Sequence, residues 1–166
     1  FERVCGFAAD CGYLGVEIAP FTLAQDVRDI SLGRRDELRR QAAVAGLEII
    51  GLHWLLAGTE GLHLTSPDPA VRLRTAEYLS ELARLCADFG GRVLVVGSPK
   101  QRNLLPGVTP SMAMDHAADV MMATLPVLED VGVVLGLEPL GPDETDFLVT
   151  ADEAARLIER IGSPHV

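Results

Sequence analysis

Four short apolar runs, Leu14–Ile18, Glu48–His53, Val93–Gly97 and Val133–Glu138, constrain the fold more than any other feature of this sequence. Each is an uninterrupted apolar stretch rather than a polar/apolar alternation, which is how strands of a parallel sheet covered on both faces read. Their starts lie 34, 45 and 40 residues apart. Each interval has room for one helix, so the runs read as successive βα units of one sheet.

The intervals carry the helical pattern. In Asp68–Phe89, residues Ala76, Leu79, Leu82, Ala83, Cys86 and Phe89 recur at three and four positions and form one apolar stripe. Arg74, Glu77, Glu81, Arg84 and Asp88 fall on the other side. Thr109-Pro110 places a capping hydroxyl before a proline at the first helical position, and Thr150 with Glu153 is a capping box. Gly12, Gly46, Gly90-Gly91, Gly132 and Gly162 stand where left-handed residues close helices. Pro126 lies inside the Ser111–Val131 pattern, so a kink or break is expected there.

Two architectures satisfy this order: a (β/α)8 TIM barrel and a doubly wound open sheet. Neither GxGxxG nor GxxxxGK[ST] follows any strand, which favours the barrel. The chain has 166 residues, whereas such a barrel takes about 250. A helix over about Glu2–Cys11 has no strand before it, and Gly162–Val166 stops where another strand is due. Residues 1–166 are therefore expected to form a partial barrel, about strands two to five with their helices, truncated at both ends. The other reading is a complete four-stranded α/β domain.

Composition narrows the partners. The net charge of −10 opposes a role in holding nucleic-acid phosphates or anionic lipid. No apolar run approaches the roughly 18 residues of a membrane span. Cys5, Cys11 and Cys86 are odd in number and lack CxxC spacing, so no disulfide framework is indicated and the cytoplasm is the expected compartment.

In a barrel the segments leaving the strands share the face on which active sites are built. Three strand ends carry Gly-x-polar patterns there: Gly15-Val16-Glu17, Gly51-Leu52-His53 and Gly136-Leu137-Glu138. Strand alternation turns each polar residue to the same side as its glycine, so two carboxylates and an imidazole are expected to converge on one cavity. Glu138 ends the most apolar run and is expected to be partly desolvated, which calls for a partner or a metal. Trp54 beside His53 offers an apolar wall for a sugar-like ligand. The loop Pro139–Phe147 is acidic and rich in turn formers, with Glu144 its candidate contact residue. Lys100 and Arg102 could receive a phosphate, although a solvated loop is the simpler reading of Gly97–Asn103. His63, His116 and His165 lack neighbours at metal spacing, and Met112, Met114, Met121 and Met122 read as helix packing.

With these residues in view, the sequence resembles the sugar phosphate isomerase/epimerase family, the xylose-isomerase-like TIM barrels. The matching stretches are Cys11–Ile18, Gly51–Leu56, Gly90–Pro99, and Leu137–Leu140 with Glu144–Leu148. The resemblance implies isomerisation or epimerisation of a ketose or other sugar-like substrate by proton transfer through an enediolate. In the family's ketose 3-epimerases, Glu, Asp, His and Glu at the ends of strands five to eight hold a divalent metal, and the two glutamates exchange the substrate proton. Glu138 matches the first of these glutamates and Glu144 a substrate-contacting one; His53 and Trp54 occupy the substrate rim of the third strand. The other three ligands have no counterpart before Val166. Oxygen ligands suit Mn2+ or Mg2+, and an added histidine keeps Zn2+ or Co2+ open. The implied partner is a small sugar or sugar phosphate, not nucleic acid or membrane, and homo-oligomerisation stays open.

Two other functions compete. A zinc-dependent apurinic-site endonuclease would use His53, but Ser98 stands where that family uses another histidine. A non-catalytic barrel fragment or relative is the third: one carboxylate holds a divalent metal weakly, and four strands leave two open sheet edges.

Overall fold

In the computed structural model, which describes residues 1–166, all four runs are strands. The order is α1 (Glu2–Asp10), β1 (Gly15–Ile18), α2 (Leu32–Val44), β2 (Glu48–Leu52), α3 (Pro69–Asp88), β3 (Val93–Val96), α4 (Pro110–Val131), β4 (Val134–Leu137) and α5 (Ala151–Ile161). The strands form one parallel sheet in the order β1-β2-β3-β4. Each unit thus lies beside its predecessor without the reversal of strand order that defines a doubly wound sheet. The sheet is singly wound, as in a TIM barrel.

Helix ends follow local chemistry. Thr109 Oγ1 accepts from Met112 N at 3.3 Å, and Thr150 Oγ1 accepts from Glu153 N at 3.2 Å while Glu153 Oε2 accepts from Val149 N at 2.7 Å. The two threonine bonds satisfy amides that the first helical turn leaves without partners, and the Glu153 bond ties down the residue before the cap. Gly132 closes α4 at φ 68°, a conformation that strains any residue with a Cβ.

Pro126 neither breaks nor ends its helix: α4 runs continuously through it for 22 residues. Proline removes one intrahelical donor, and the acceptor it deprives is the carbonyl of Met122, four residues back on the exposed side of the helix. Met121, Thr124 and Leu128 stay buried on the opposite side and hold the helix against the core. Water can satisfy the freed carbonyl, so the helix continues.

The core lies between the helices and one face of the sheet. Ile18, Ile49, Leu52, Leu94, Val96 and Leu135 are at most 4% exposed, and the α3 stripe from Ala76 to Phe89 is buried as its spacing predicts. Arg35 ties α2 to the end of α3, donating from Nε to Ile30 O at 2.9 Å and from Nη1 to Asp88 Oδ2 at 2.7 Å. The strands are covered on one face only. On the other, Glu17, Ile50 and Val93 are exposed. In a closed (β/α)8 barrel the corresponding face is the interior, where side chains of different strands fill the space together. No helix is long and apolar enough to cross a membrane.

Candidate functional site

The segments entering the strands are short turns, and those leaving them, residues 19–31, 53–68, 97–109 and 138–150, are long and gather at the C-terminal end of the sheet. Glu138 is the first residue past β4. Its N–H donates to Val96 O at 3.3 Å, which extends the β3–β4 ladder by one step. Val96 pairs with Leu137, so Gly97 comes next to Glu138 at the tips of the two strands. The Glu138 carboxylate lies over Gly97: a Cβ added there would collide with Oε2 and sit 3.0 Å from Cδ. Only a residue without a side chain lets the carboxylate rest in that place.

Beneath this pair is a cation read from the sequence as solvated. Arg102 is fully buried. Its Nη1 donates to Glu138 O at 2.7 Å and Val96 O at 3.2 Å, and its Nη2 donates to Leu148 O at 3.4 Å. Burial lowers the guanidinium pKa, and the negative charges of Glu138 and then Glu144 oppose that shift. A guanidinium engaged in this way is closed to an incoming phosphate. Lys100, two residues earlier, stays exposed.

Glu138 is itself exposed, contrary to the partial desolvation expected of it. The apolar run before it stands in the ladder, but the carboxylate projects past the end of the strand on the open face of the sheet. Glu144 is exposed in the following loop, at a turn where its N–H donates to Gly141 O at 2.9 Å. That loop is fastened to the segment after β3: Thr145 Oγ1 donates to Asn103 Oδ1 at 2.7 Å, and Asp146 Oδ1 accepts from Leu104 N at 2.7 Å. Leu148 has φ 56°, an uncommon conformation for a branched residue, and its carbonyl accepts from both Arg102 and Leu140 N.

His53 and Trp54 lie toward β1. His53 is half-buried and shares with Glu17, Val16, Ile18, Cys5 and Phe1 a groove of about 420 Å³ along the free edge of β1. Glu138 does not line that groove. The alternation puts Glu17 and Glu138 on one face, but two strands and the width of the sheet separate them. Trp54 has φ 52° and is 53% exposed. Its ring stacks on Phe21 at a centroid distance of 5.9 Å and walls a pocket of about 310 Å³ with Ser98, Pro99 and Lys100. Ser98 Oγ accepts from Leu56 N at 3.0 Å, anchoring the Trp54 turn to the end of β3. Trp54 and Leu148 thus both hold left-handed backbone on the loop-bearing side of the sheet, a conformation that costs a residue with a Cβ.

Phe21 and Gly97 escaped the sequence reading. Phe21 stands in a loop with no periodicity to mark it. Gly97 was legible once the register of β3 on β4 was fixed, since that register alone places it opposite Glu138. His116 Nδ1 lies 3.0 Å from Thr65 O, and His165 Nδ1 lies 2.9 Å from Val133 O. No group of three or more His, Cys, Asp or Glu side chains is placed to hold a metal ion. Glu138 supplies the oxygen type that a hard cation takes, but the residues present do not form a complete site.

Comparison with known proteins agrees with the singly wound sheet. No curated protein matches this chain in sequence. Among solved structures, D-psicose 3-epimerase crystallised in the presence of D-fructose superposes with a TM-score of 0.83 at 18% identity, over 100% of this chain and 56% of the epimerase. L-ribulose 3-epimerase gives 0.79 at 24% identity, over 99% and 52% respectively. The 3-keto-D-glucoside 4-epimerase of E. coli, in its apo form, gives 0.77 at 19%, over 99% and 60%. The chain therefore spans a little over half the length of these structures, and at such identities the likeness is one of fold. The model of the xylose isomerase-like TIM barrel family matches residues 5–166. With its strand order, its long loops on one face and that match over nearly its whole length, the chain belongs to the xylose isomerase-like TIM barrel family.

Proposed function

We propose that this chain forms part of a metal-dependent sugar isomerase or epimerase in which Glu138 transfers the substrate proton. The observation that carries the reading is the placement of Glu138: an exposed carboxylate at the C-terminal tip of β4, seated over Gly97 with its main chain held by buried Arg102. A carboxylate so placed can take a proton α to a carbonyl from one face of the substrate, and inversion then needs a second acid, proposed to lie outside these residues, to deliver a proton to the opposite face of the planar enediolate. Glu144 contacts the substrate from the next loop, and His53 with Trp54 forms the opposite rim. A Mn2+ or Mg2+ ion, when bound, supplies positive charge that stabilises negative charge on the substrate oxygens. Glu138 is its one ligand here; the others are proposed to lie outside these 166 residues. The three free thiols support a reducing, cytoplasmic setting.

The second reading is a barrel fragment or relative without catalytic activity, because Glu138 by itself would hold a divalent ion weakly. One experiment separates the two. The full-length polypeptide is incubated with Mn2+ and ketohexoses in D2O, and deuterium at the carbon next to the carbonyl is followed by NMR, with metal content measured by elemental analysis. The epimerase reading expects bound metal and deuterium incorporation, lost at least a hundredfold in Glu138→Gln. Wild type that holds no metal and incorporates no deuterium establishes the non-catalytic reading, and a Glu138→Gln variant that exchanges as fast as an active wild type overturns the role of Glu138.

A further inference from the structure

We infer that Arg102 is the positioning residue of Glu138, fixing the main chain at the tip of β4 so that the carboxylate stays over Gly97. Buried cations are costly and are tolerated where their donors are used. Arg102 has no acidic side chain bonded to it; its donors go to three main-chain carbonyls, those of Val96, Glu138 and Leu148. These belong to the end of β3, the end of β4 and the far end of the loop 138–150. The Val96 carbonyl accepts from both Glu138 N and Arg102 Nη1, so the guanidinium and the last rung of the ladder share one acceptor. Leu148 O likewise accepts from Leu140 N and Arg102 Nη2. One planar cation therefore closes the loop that carries Glu138 at one end and pins the left-handed Leu148 at the other.

The geometry needs a fork. Arginine directs several N–H groups outward in one plane and stays charged when buried, whereas a lysine ammonium is a single point on a flexible stem. Lysine in this place can reach the Glu138 and Val96 carbonyls but not also that of Leu148. Nε is buried without a partner.

The test uses Arg102→Lys and Arg102→Met in the full-length protein, with amide hydrogen exchange as the first readout. Arg102→Lys is expected to speed exchange of the Glu138 and Leu140 amides at least tenfold while Leu82 and Met121 in the helices stay within twofold. The second readout rests on the epimerase reading: kcat for ketose epimerisation falls ten- to a hundredfold in Arg102→Lys with KM within twofold, and further in Arg102→Met. If wild type does not epimerise ketoses, that reading fails and the exchange arm alone decides the role of Arg102. Unchanged exchange at Glu138 and Leu140, or a uniform rise across the helices, overturns the inference. So does unaltered kcat alongside faster local exchange. If Arg102→Met does not fold, Arg102→Lys decides; loss of cooperative folding there too makes Arg102 a residue of the fold alone.

Discussion

Replacing Gly97 with alanine tests the seat of Glu138 without touching the carboxylate. The three nearest heavy atoms to a Cβ at Gly97 all belong to the Glu138 side chain: Oε2, Cδ at 3.0 Å and Cβ at 3.6 Å. No backbone atom stands closer, so the end of a flexible side chain is what must move. Gly97 does not have positive φ, so alanine meets no backbone strain. Restricting the unfolded chain then contributes about 0.4–1 kcal/mol of stability. Turning Glu138 off its rotamer costs about 0.5–1.5 kcal/mol. The two terms nearly cancel, and urea denaturation is expected to find Gly97→Ala within about 1 kcal/mol of wild type. Proton transfer is far less tolerant, because a displacement of about 1 Å costs on the order of a hundredfold in rate. The expected result is thus a folded, normally stable protein whose deuterium incorporation falls roughly a hundredfold. Full activity would show that the position over Gly97 is not the working position of the carboxylate. A loss of more than about 3 kcal/mol would mean that the strand tips are packed more tightly than this reasoning allows.

Three further predictions concern the surrounding loops. Trp54→Gly relieves a left-handed backbone worth about 1 kcal/mol but forfeits stacking on Phe21 worth about as much, so it should be near neutral, whereas Trp54→Ala keeps the strain, loses the stack and should be measurably less stable in urea. Burial lowers the pKa of His63 against the opposing influence of the Lys100 carbonyl and Asp146, so the unfolded chain binds more protons there: stability is full above the ordinary histidine pKa of 6.5 and declines as pH falls toward the lower folded value. Urea midpoints from pH 7.5 to 5 should fall less in His63→Gln, and equal slopes would refute the assignment. Cys11 is exposed, Cys5 is buried and burial pushes the Cys86 thiol up to about 11, so a thiol reagent at pH 8 should titrate one cysteine in the native state and three only on unfolding.

Much of the fold was legible in local chemistry. The apolar runs became β1 to β4 with ends shifted by at most a residue or so, because a continuous apolar segment between glycine turns has few alternatives once its neighbours are helices. The capping hydroxyls of Thr109 and Thr150 appear where the sequence places them, since a cap involves only a few consecutive residues. Pro126 shows where such reasoning fails: the rule against proline in helices describes an isolated helix, whereas burial of Met121, Thr124 and Leu128 outweighs one lost hydrogen bond.

The site divides along the same line. Residue type and strand-end position were enough to select Glu138, His53, Trp54 and Glu144, and to propose roles for them. What each side chain meets depends on partners dozens of residues away. Arg102 reads as a loop cation among polar neighbours, and only the docking of residues 138–150 against 97–109 buries it and turns it toward the carbonyl of Glu138. That two strands stand between the tips carrying Glu17 and Glu138 likewise follows from strand order, which no single strand records. The sequence by itself determined which segments are strands and helices and which strand tips carry acids, because those are short-range matters of periodicity and capping. Tertiary structure decided that the sheet is singly wound, that Gly97 lies under Glu138 and that Arg102 is buried below it, because register and burial arise only when distant segments pack.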